Sequence, residues 1–342
     1  ASYFGHPLIK FNVSRTKMPS SLLDASVNYG AKTPANENPF IYAFKGIFGG
    51  YDATFSHRKF YFNNHAYGEV ELRDMWDYQL NLKPEEVQFI YAHTWELLSQ
   101  NFPYHFFTEN CATAMADTLD NALGIKIMPK YLPYAIPYTL FDNMMIKKRP
   151  DGGDIVSSVK LIPSRQTRLI SRYKELDADQ KRAVDKVADQ NKITGELKSL
   201  PPEKRVGSLE TLFDYYSFRA VVDKSNDEHV ENDDAFAPIK RELLMERLQL
   251  PSSKSTDEIK SDARPPHEGP PPSIIWKGGL KSTKFGDGAE LHIRTSNYDY
   301  LSVDFGRPKN SEVKTLDAIF EYVDNSFWMR KVDLISIGTL NI

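Results

Sequence analysis

The chain has 342 residues, 41% hydrophobic and 12% aromatic, with 43 basic against 46 acidic side chains and a formal net charge of −3. Such a composition suits a folded globular protein of one large or two ordinary domains. The near-balanced charge removes the electrostatic case for nucleic acid, and no apolar run is long enough to cross a bilayer as a helix.

In chain order, residues 1–150 read as mixed strand and helix. Residues 8–13 and 22–29 have strand patterning. Residues 42–67 are rich in glycine and aromatics, with Gly49 and Gly50 marking a turn. Residues 59–62 suggest a further strand, and residues 69–81 a short helix carrying Leu72, Trp76 and Leu80. Trp76 and Trp95 are expected in the core. Pro84 opens a helix: proline suits the first helical position, and Glu85 and Glu86 favour the positive end of the helix dipole. A second helix follows Asn110, with Thr108 or Asn110 as N-cap, Met115, Leu119, Ala122 and Leu123 facing inward, and Gly124 as the stop.

Residues 151–250 carry helical periodicity over 176–190, 209–222 and 236–250. Residues 251–273, with Pro265-Pro266 and Pro270-Pro271-Pro272, read as a linker or extended strap. Residues 274–342 alternate apolar and polar, as in Tyr300-Leu-Ser-Val-Asp-Phe305, and predict a small antiparallel sheet. The first residues already read as structured, with no leader, so a mature or trimmed fragment is expected.

The single cysteine excludes an internal disulfide or a cysteine zinc cluster and leaves the compartment open. Cys111 falls at the start of the second helix. There the unpaired N–H groups point at the sulfur and lower a thiol pKa. The Cys111 N–H would also face an oxyanion formed on a substrate carbonyl, with Asn110 or a nearby amide as second donor. The bland alternative is a small buried hydrophobe. The eight histidines, His6, His57, His65, His93, His105, His229, His267 and His292, supply the candidate bases, and periodicity does not choose among them. His57 with His65, and His93 with Glu96, lack zinc-motif spacing; no metal and no cofactor is expected.

Three blocks narrow the choice: Phe4-Gly-His-Pro-Leu-Ile-Lys-Phe-Asn12, Val27-Asn-Tyr-Gly-Ala31 and Tyr104-His-Phe-Phe-Thr-Glu-Asn-Cys-Ala-Thr113. Between them lie Lys45-Gly-Ile-Phe-Gly-Gly-Tyr51, Glu71-Leu-Arg-Asp-Met-Trp-Asp-Tyr-Gln-Leu80 and His93-Thr-Trp-Glu-Leu97. In order and spacing this set resembles the N-terminal periplasmic domain family of the lipoprotein N-acyltransferase Lnb. The resemblance implies an α+β, circularly permuted papain-like (NlpC-like) cysteine domain over residues 1–150. A helical region (151–250), a Pro-rich linker (251–273) and an antiparallel β region (274–342) would follow. It implies Cys111 as nucleophile and His6 as base. Asn28 is the expected third residue, by analogy with cysteine–histidine–asparagine sites, although a strand-end turn role suits it equally. Lys10 stands near a position where many members carry arginine, and Pro7 departs from the family pattern after the histidine.

The reaction so implied is thiol-dependent acyl transfer in the bacterial cell envelope through a Cys111 thioester. The donor would be a phospholipid and the acceptor a lipoprotein amino terminus. Substrate contacts are expected from Asn110, Tyr51, Tyr29 and Lys10; the rest of the aromatic segment is expected to be core. The alternatives are a cysteine peptidase or amidase acting on cell-wall peptide, and a non-enzymatic envelope scaffold. A periplasmic or envelope location follows, with association with the outer membrane as a further expectation; the scaffold alternative would be attached to an outer-membrane barrel beyond residue 342. The charged cluster Glu71, Arg73 and Asp74 reads as structural, with Arg73 paired to Glu71, Asp74 or Asp77.

Overall fold

The computed structural model describes residues 5–12, 21–34, 37–128, 135–226, 235–251, 259, 261–269, 271, 273–284, 286–301 and 311–339. In chain order the elements are β1 (Ile9–Phe11), β2 (Ala25–Ala31), α1 (Pro39–Phe48), β3 (Tyr51–Lys59), the one-turn α2 (Phe60–Asn63) and β4 (Met75–Leu80). There follow α3 (Pro84–Leu97), β5 (Phe102–Tyr104), α4 (Cys111–Leu123), α5 (Pro137–Ile146) and β6 (Val156–Ile162). Helices α6 (Arg165–Glu175), α7 (Ala178–Gln190), α8 (Gly195–Ser199), α9 (Pro202–Asn226) and α10 (Ala237–Leu248) come next. The last strands are β7 (Ser273–Thr283), β8 (Gly286–Tyr298), β9 (Ser311–Val323) and β10 (Ser326–Thr339). The fold is thus mixed α and β with a separate antiparallel sheet at its C-terminal end. No helix among the described residues is long and apolar enough to cross a membrane.

Contacts divide the chain into two compact units, one of Ala1–Phe60, Tyr78–Val159 and Arg264–Ile342, the other of Tyr61–Asp77 and Lys160–Ala263. The first unit holds an antiparallel sheet ordered β1-β2-β3-β5, with Ile9 opposite Val27, Tyr29 opposite Phe55 and Tyr51 opposite Tyr104. Side chains alternate across a strand. One face therefore gathers Val27, Tyr29, Ala53 and Phe55, which share a core with Met115, Leu119 and Leu123 of α4 and Ile90 of α3. Full burial of such a side chain stabilises the fold by about 1.5–3 kcal/mol.

Two devices fix the helices around this core. Glu86, at the third position of α3, accepts the Lys83 N–H at 2.7 Å and closes a capping box. Its carboxylate is held by Arg149 through Nη1 at 3.0 Å and Nη2 at 2.8 Å, and Nη1 also donates to the Asn81 carbonyl at 2.6 Å. The arginine pulls the Glu86 carboxyl below its ordinary pKa. The second device is a close approach of α1 to the loop before α4. The Phe106 ring lies 2.2 Å from where a Cβ on Gly46 would sit, and the His105 ring 2.3 Å from where one on Gly49 would sit. Phe106 N–H donates to the Gly46 carbonyl at 2.7 Å. Glycine is required there because any side chain would displace the aromatic rings.

In the second unit, Leu209, Leu212 and Tyr216 of α9 form a core with Val187, Leu197 and Leu243. The buried Tyr216 hydroxyl donates to the Val187 carbonyl at 3.0 Å. Glu69 bridges to Arg165 and Arg168 at 2.5 and 2.7 Å, and Asp74 accepts the Ser164 N–H at 2.7 Å, at the start of α6. These bonds explain one correction: residues 69–81 are not a helix. Leu72 has φ 56°, a left-handed conformation that stops a helix, and β4 follows. Arg73 does pair with Glu71, at 2.9 Å.

Other expectations also shift. Residues 59–62 are not a strand: β3 ends at Lys59, and the buried Phe60 starts α2 with its N–H on the Asp24 carbonyl at 2.8 Å. Trp95 is 66% exposed and not core, because it lies on the face of α3 away from Ile90 and Thr94. Trp76 is half-buried. The aromatic segment is only partly core, since residues 39–48 form a helix whose Phe40, Phe44 and Phe48 are exposed. Of the expected linker, residues 252–258, 260, 270 and 272 lie outside the described residues, as do Val13 and His229. Its described part is tied down by the Tyr78 hydroxyl on His267 Nδ1 at 2.8 Å and the Tyr138 hydroxyl on the Gly269 carbonyl at 2.9 Å.

Replacing Arg149 by Met should lower stability by about 3 kcal/mol near neutral pH, because it strands the Glu86 carboxylate. The pair's contribution is present above the ordinary glutamate pKa and is lost as pH falls through the lower folded value. Urea melts of wild type and R149M should therefore converge below pH 4 or so; a difference independent of pH contradicts the assignment.

Candidate active site

Cys111 is the first residue of α4 and is 5% exposed. Asn110 sets its position. The Asn110 Oδ1 accepts from the Ala112 N–H at 2.9 Å and the Thr113 N–H at 3.4 Å, while the Asn110 N–H donates to Thr113 Oγ1 at 2.9 Å. Its amide nitrogen spans two loops, donating to the Phe106 carbonyl at 2.9 Å and the Ala135 carbonyl at 2.7 Å. The sequence reading named Asn110 as a substrate contact. With both amide hydrogens and the oxygen engaged, it serves in this structure as a cap and a brace.

The nearby backbone N–H groups of Cys111 and Ala112 favour the thiolate, but burial outweighs them and pushes the thiol up to about 12. The expected low-pKa thiolate is therefore not the resting state. Desolvation of a charged sulfur exceeds what two backbone dipoles return.

Tyr29 and Tyr104 complete the surroundings. Burial raises the Tyr29 phenol to about 12, with further contributions from Glu109 and Cys111. Burial also raises Tyr104, with contributions from Cys111, Tyr42 and Tyr29, while the nearby Cys111 N–H acts the other way. The Tyr29 and Tyr104 rings lie 6.1 Å apart, and Tyr42 packs on Phe106 at 5.1 Å. A phenol kept neutral in this way remains a hydrogen-bond donor at physiological pH. Tyr104 was missed as a site residue, although it opens the motif block that ends in Cys111.

The other candidates are dispersed. Tyr51 is opposite Tyr104 in the sheet, but its hydroxyl donates to Glu37 and its ring lies 5.6 Å from Lys45 Nζ. It lines a cleft of about 530 Å³ together with Lys32, Lys45, Asp52, Asn101 and Pro103, a lining that does not include Cys111. Lys10 Nζ sits 5.1 Å from the Phe60 ring centre. Asn28 is buried, and neither atom of its amide has a hydrogen-bond partner. Strand alternation turns it away from Val27 and Tyr29, to the face opposite the one that meets α4. His6 is half-buried and follows Gly5, whose φ of 89° suits glycine. A Cβ on Gly5 would lie 3.8 Å from Pro137 Cβ, so the segment carrying His6 passes the loop that Asn110 braces through Ala135. Among the described residues no group of three or more His, Cys, Asp or Glu side chains converges to hold a metal ion.

Residues 1–141 match the family model described as the Lnb N-terminal periplasmic domain. Residues 162–259 match a second family, a domain of unknown function (DUF7842). No curated protein and no solved structure matches the chain. Over its first 141 residues, then, the chain is similar to the Lnb N-terminal periplasmic domain family, which places this part in the periplasm.

Proposed function

We propose that residues 1–141 form a permuted papain-like thiol domain that transfers an acyl group in the periplasm, with Cys111 as nucleophile. The observation that carries the reading is the sulfur at the capped head of α4, with the Cys111 N–H and the Tyr104 hydroxyl beside it. His6 takes the thiol proton as sulfur attacks a phospholipid ester carbonyl. The Cys111 N–H and the Tyr104 O–H stabilise the oxyanion. Collapse expels the lysophospholipid alkoxide, which recovers the proton from His6, and leaves a thioester. A lipoprotein amine then attacks, and the thiol is regenerated. Tyr29 contributes apolar wall; Asn28, on the other face of the sheet, is left out of this scheme although its amide is buried without a partner.

A second reading, an envelope scaffold that keeps an enzyme-like fold, is favoured by the burial of that same thiol. Lysophospholipid release separates the two. Full-length chain incubated with phosphatidylethanolamine vesicles and an amino-terminal diacylglyceryl peptide should release lysophospholipid, and C111A and H6A should not. Y104F should lower kcat by about 10²-fold with little change in KM, as expected for loss of one oxyanion donor. Absence of release by wild type favours the scaffold.

The raised thiol also sets a pH dependence. Because the folded thiol ionises above the ordinary cysteine range, iodoacetamide should modify native Cys111 more slowly than the urea-unfolded chain at pH 7–9, and the native rate should still be climbing above pH 10 or so. Equal native and unfolded rates at pH 7.5 contradict the buried neutral thiol.

A further inference from the structure

The sheet ordered β10-β9-β8-β7 has the polarity of its two faces reversed from that of a sheet folded in water. Cross-strand pairing sets Leu280, Ala289, Tyr322 and Phe327 in one row. Gly278, Leu291, Phe320 and Met329 form a second, and Trp276, Ile293, Ala318 and Val332 a third. By strand alternation all three rows lie on the same face. None of these side chains is charged, yet much of the face is open: Leu280 is 94% exposed, and Trp276, Phe327 and Met329 are each at least 65% exposed, around the buried Ala318 at its centre.

The intervening rows fall on the opposite face, where the Asp317 and Glu321 carboxylates are enclosed while Lys331 and Arg330 beside them stay 42% and 62% exposed. Asp317 is 1% exposed and is met by His292 Nε2 at 2.5 Å, Arg294 Nη2 at 3.0 Å and Lys331 Nζ at 3.0 Å. Glu321 receives Lys281 and Arg330, each at 2.5 Å. In water the hydrophobic effect drives the opposite arrangement, with apolar side chains inside and ions outside.

An apolar protein partner would account for a patch, but three features together select hydrocarbon. First, the strands run 11, 13, 13 and 14 residues, enough for a tilted strand to cross a bilayer, which takes roughly 9–11. Second, the apolar side chains on one side of β10, Phe327, Met329, Val332 and Leu334, span about 23 Å at roughly 3.3 Å per residue, close to the apolar band of about 25 Å on membrane barrels. Third, the Tyr322 hydroxyl donates to Asn325 at 3.1 Å beside the β9–β10 hairpin, at the rim where tyrosine meets a lipid–water boundary, and Trp276, the other side chain in the three rows with a polar tip, is also of a type enriched at such boundaries. A protein interface of this size would carry polar groups spread across it.

We propose that this face contacts the hydrocarbon of a lipid bilayer, as wall of a membrane-spanning β-structure whose ion-paired face is turned inward. Hydrocarbon tolerates no unpaired backbone edge, so in the bilayer β7 and β10 pair edge to edge with the same strands of further copies of the chain. This assignment is independent of the thiol chemistry: loss of acyl transfer leaves it standing, and its own failure leaves acyl transfer standing.

The test uses the full chain in a Cys111→Ser background, with single cysteines at Leu280, Leu291 and Val332 on the apolar face and at Lys277 on the other. Each is labelled with an environment-sensitive fluorophore, and the protein is incorporated into phosphatidylethanolamine–phosphatidylglycerol vesicles with brominated acyl chains. The expected result is co-flotation with the vesicles, loss of fluorescence by bromine quenching at 280, 291 and 332, and no quenching at 277. These conservative changes at open positions spare folding. Failure to float, quenching at none of the four sites, or equal quenching at all of them overturns the proposal. So does protection of 280, 291 and 332 from a water-soluble maleimide without lipid that disappears on dilution, which would assign the face to a second copy of the chain.

Discussion

The side chain of Asn110 is the constraint on which the N-terminal domain turns. A helix that begins with a buried cysteine exposes N–H groups to an apolar interior, and such groups must be satisfied. Asn110 answers that demand with its oxygen and uses its nitrogen to hold the carbonyls of Phe106 and Ala135. One amide thus fixes the head of α4, the aromatic loop before it and the loop leading to α5. Cys111, Tyr104 and the passage of the His6 segment past Pro137 all take their places from that brace.

Burial and reactivity pull against each other at this point. The same packing that stabilises α4 removes water from the sulfur and holds the thiol neutral. A neutral thiol resists adventitious oxidation, which suits a lone cysteine in the periplasm. In the proposed chemistry the neutral phenol of Tyr104 and the neutral thiol share one cause, desolvation, and serve different ends: the phenol as donor, the thiol as masked nucleophile.

Much of this was legible in the sequence where local signals agree. Pro84 with Glu86, and Asn110 with Gly124, mark helix ends by chemistry that acts within a few residues, and both helices stand where expected. The C-terminal alternation likewise gave strands. The misses came from non-local partners. Residues 69–81 carry apolar spacing that suits a helix, but Arg165 and Arg168 claim Glu69, and Leu72 turns left-handed. Trp95 has a core residue's composition and a surface residue's position. Tyr104 became visible as a site residue only once the sheet brought β5 beside the head of α4. Alternation in β7–β10 fixed which residues share a face and left open which face is wet; that depends on the buried ion pairs of Asp317, made across three strands.

The central claim is that an acyl group passes through the Cys111 sulfur. Its most direct test is hydroxylamine treatment of the washed, full-length protein after exposure to phospholipid vesicles without an amine acceptor. The account predicts release of fatty acyl hydroxamate at neutral pH from wild type, in an amount approaching one per chain, and none from the Cys111→Ala variant. Equal release from both, or none from wild type that is otherwise folded, would contradict it.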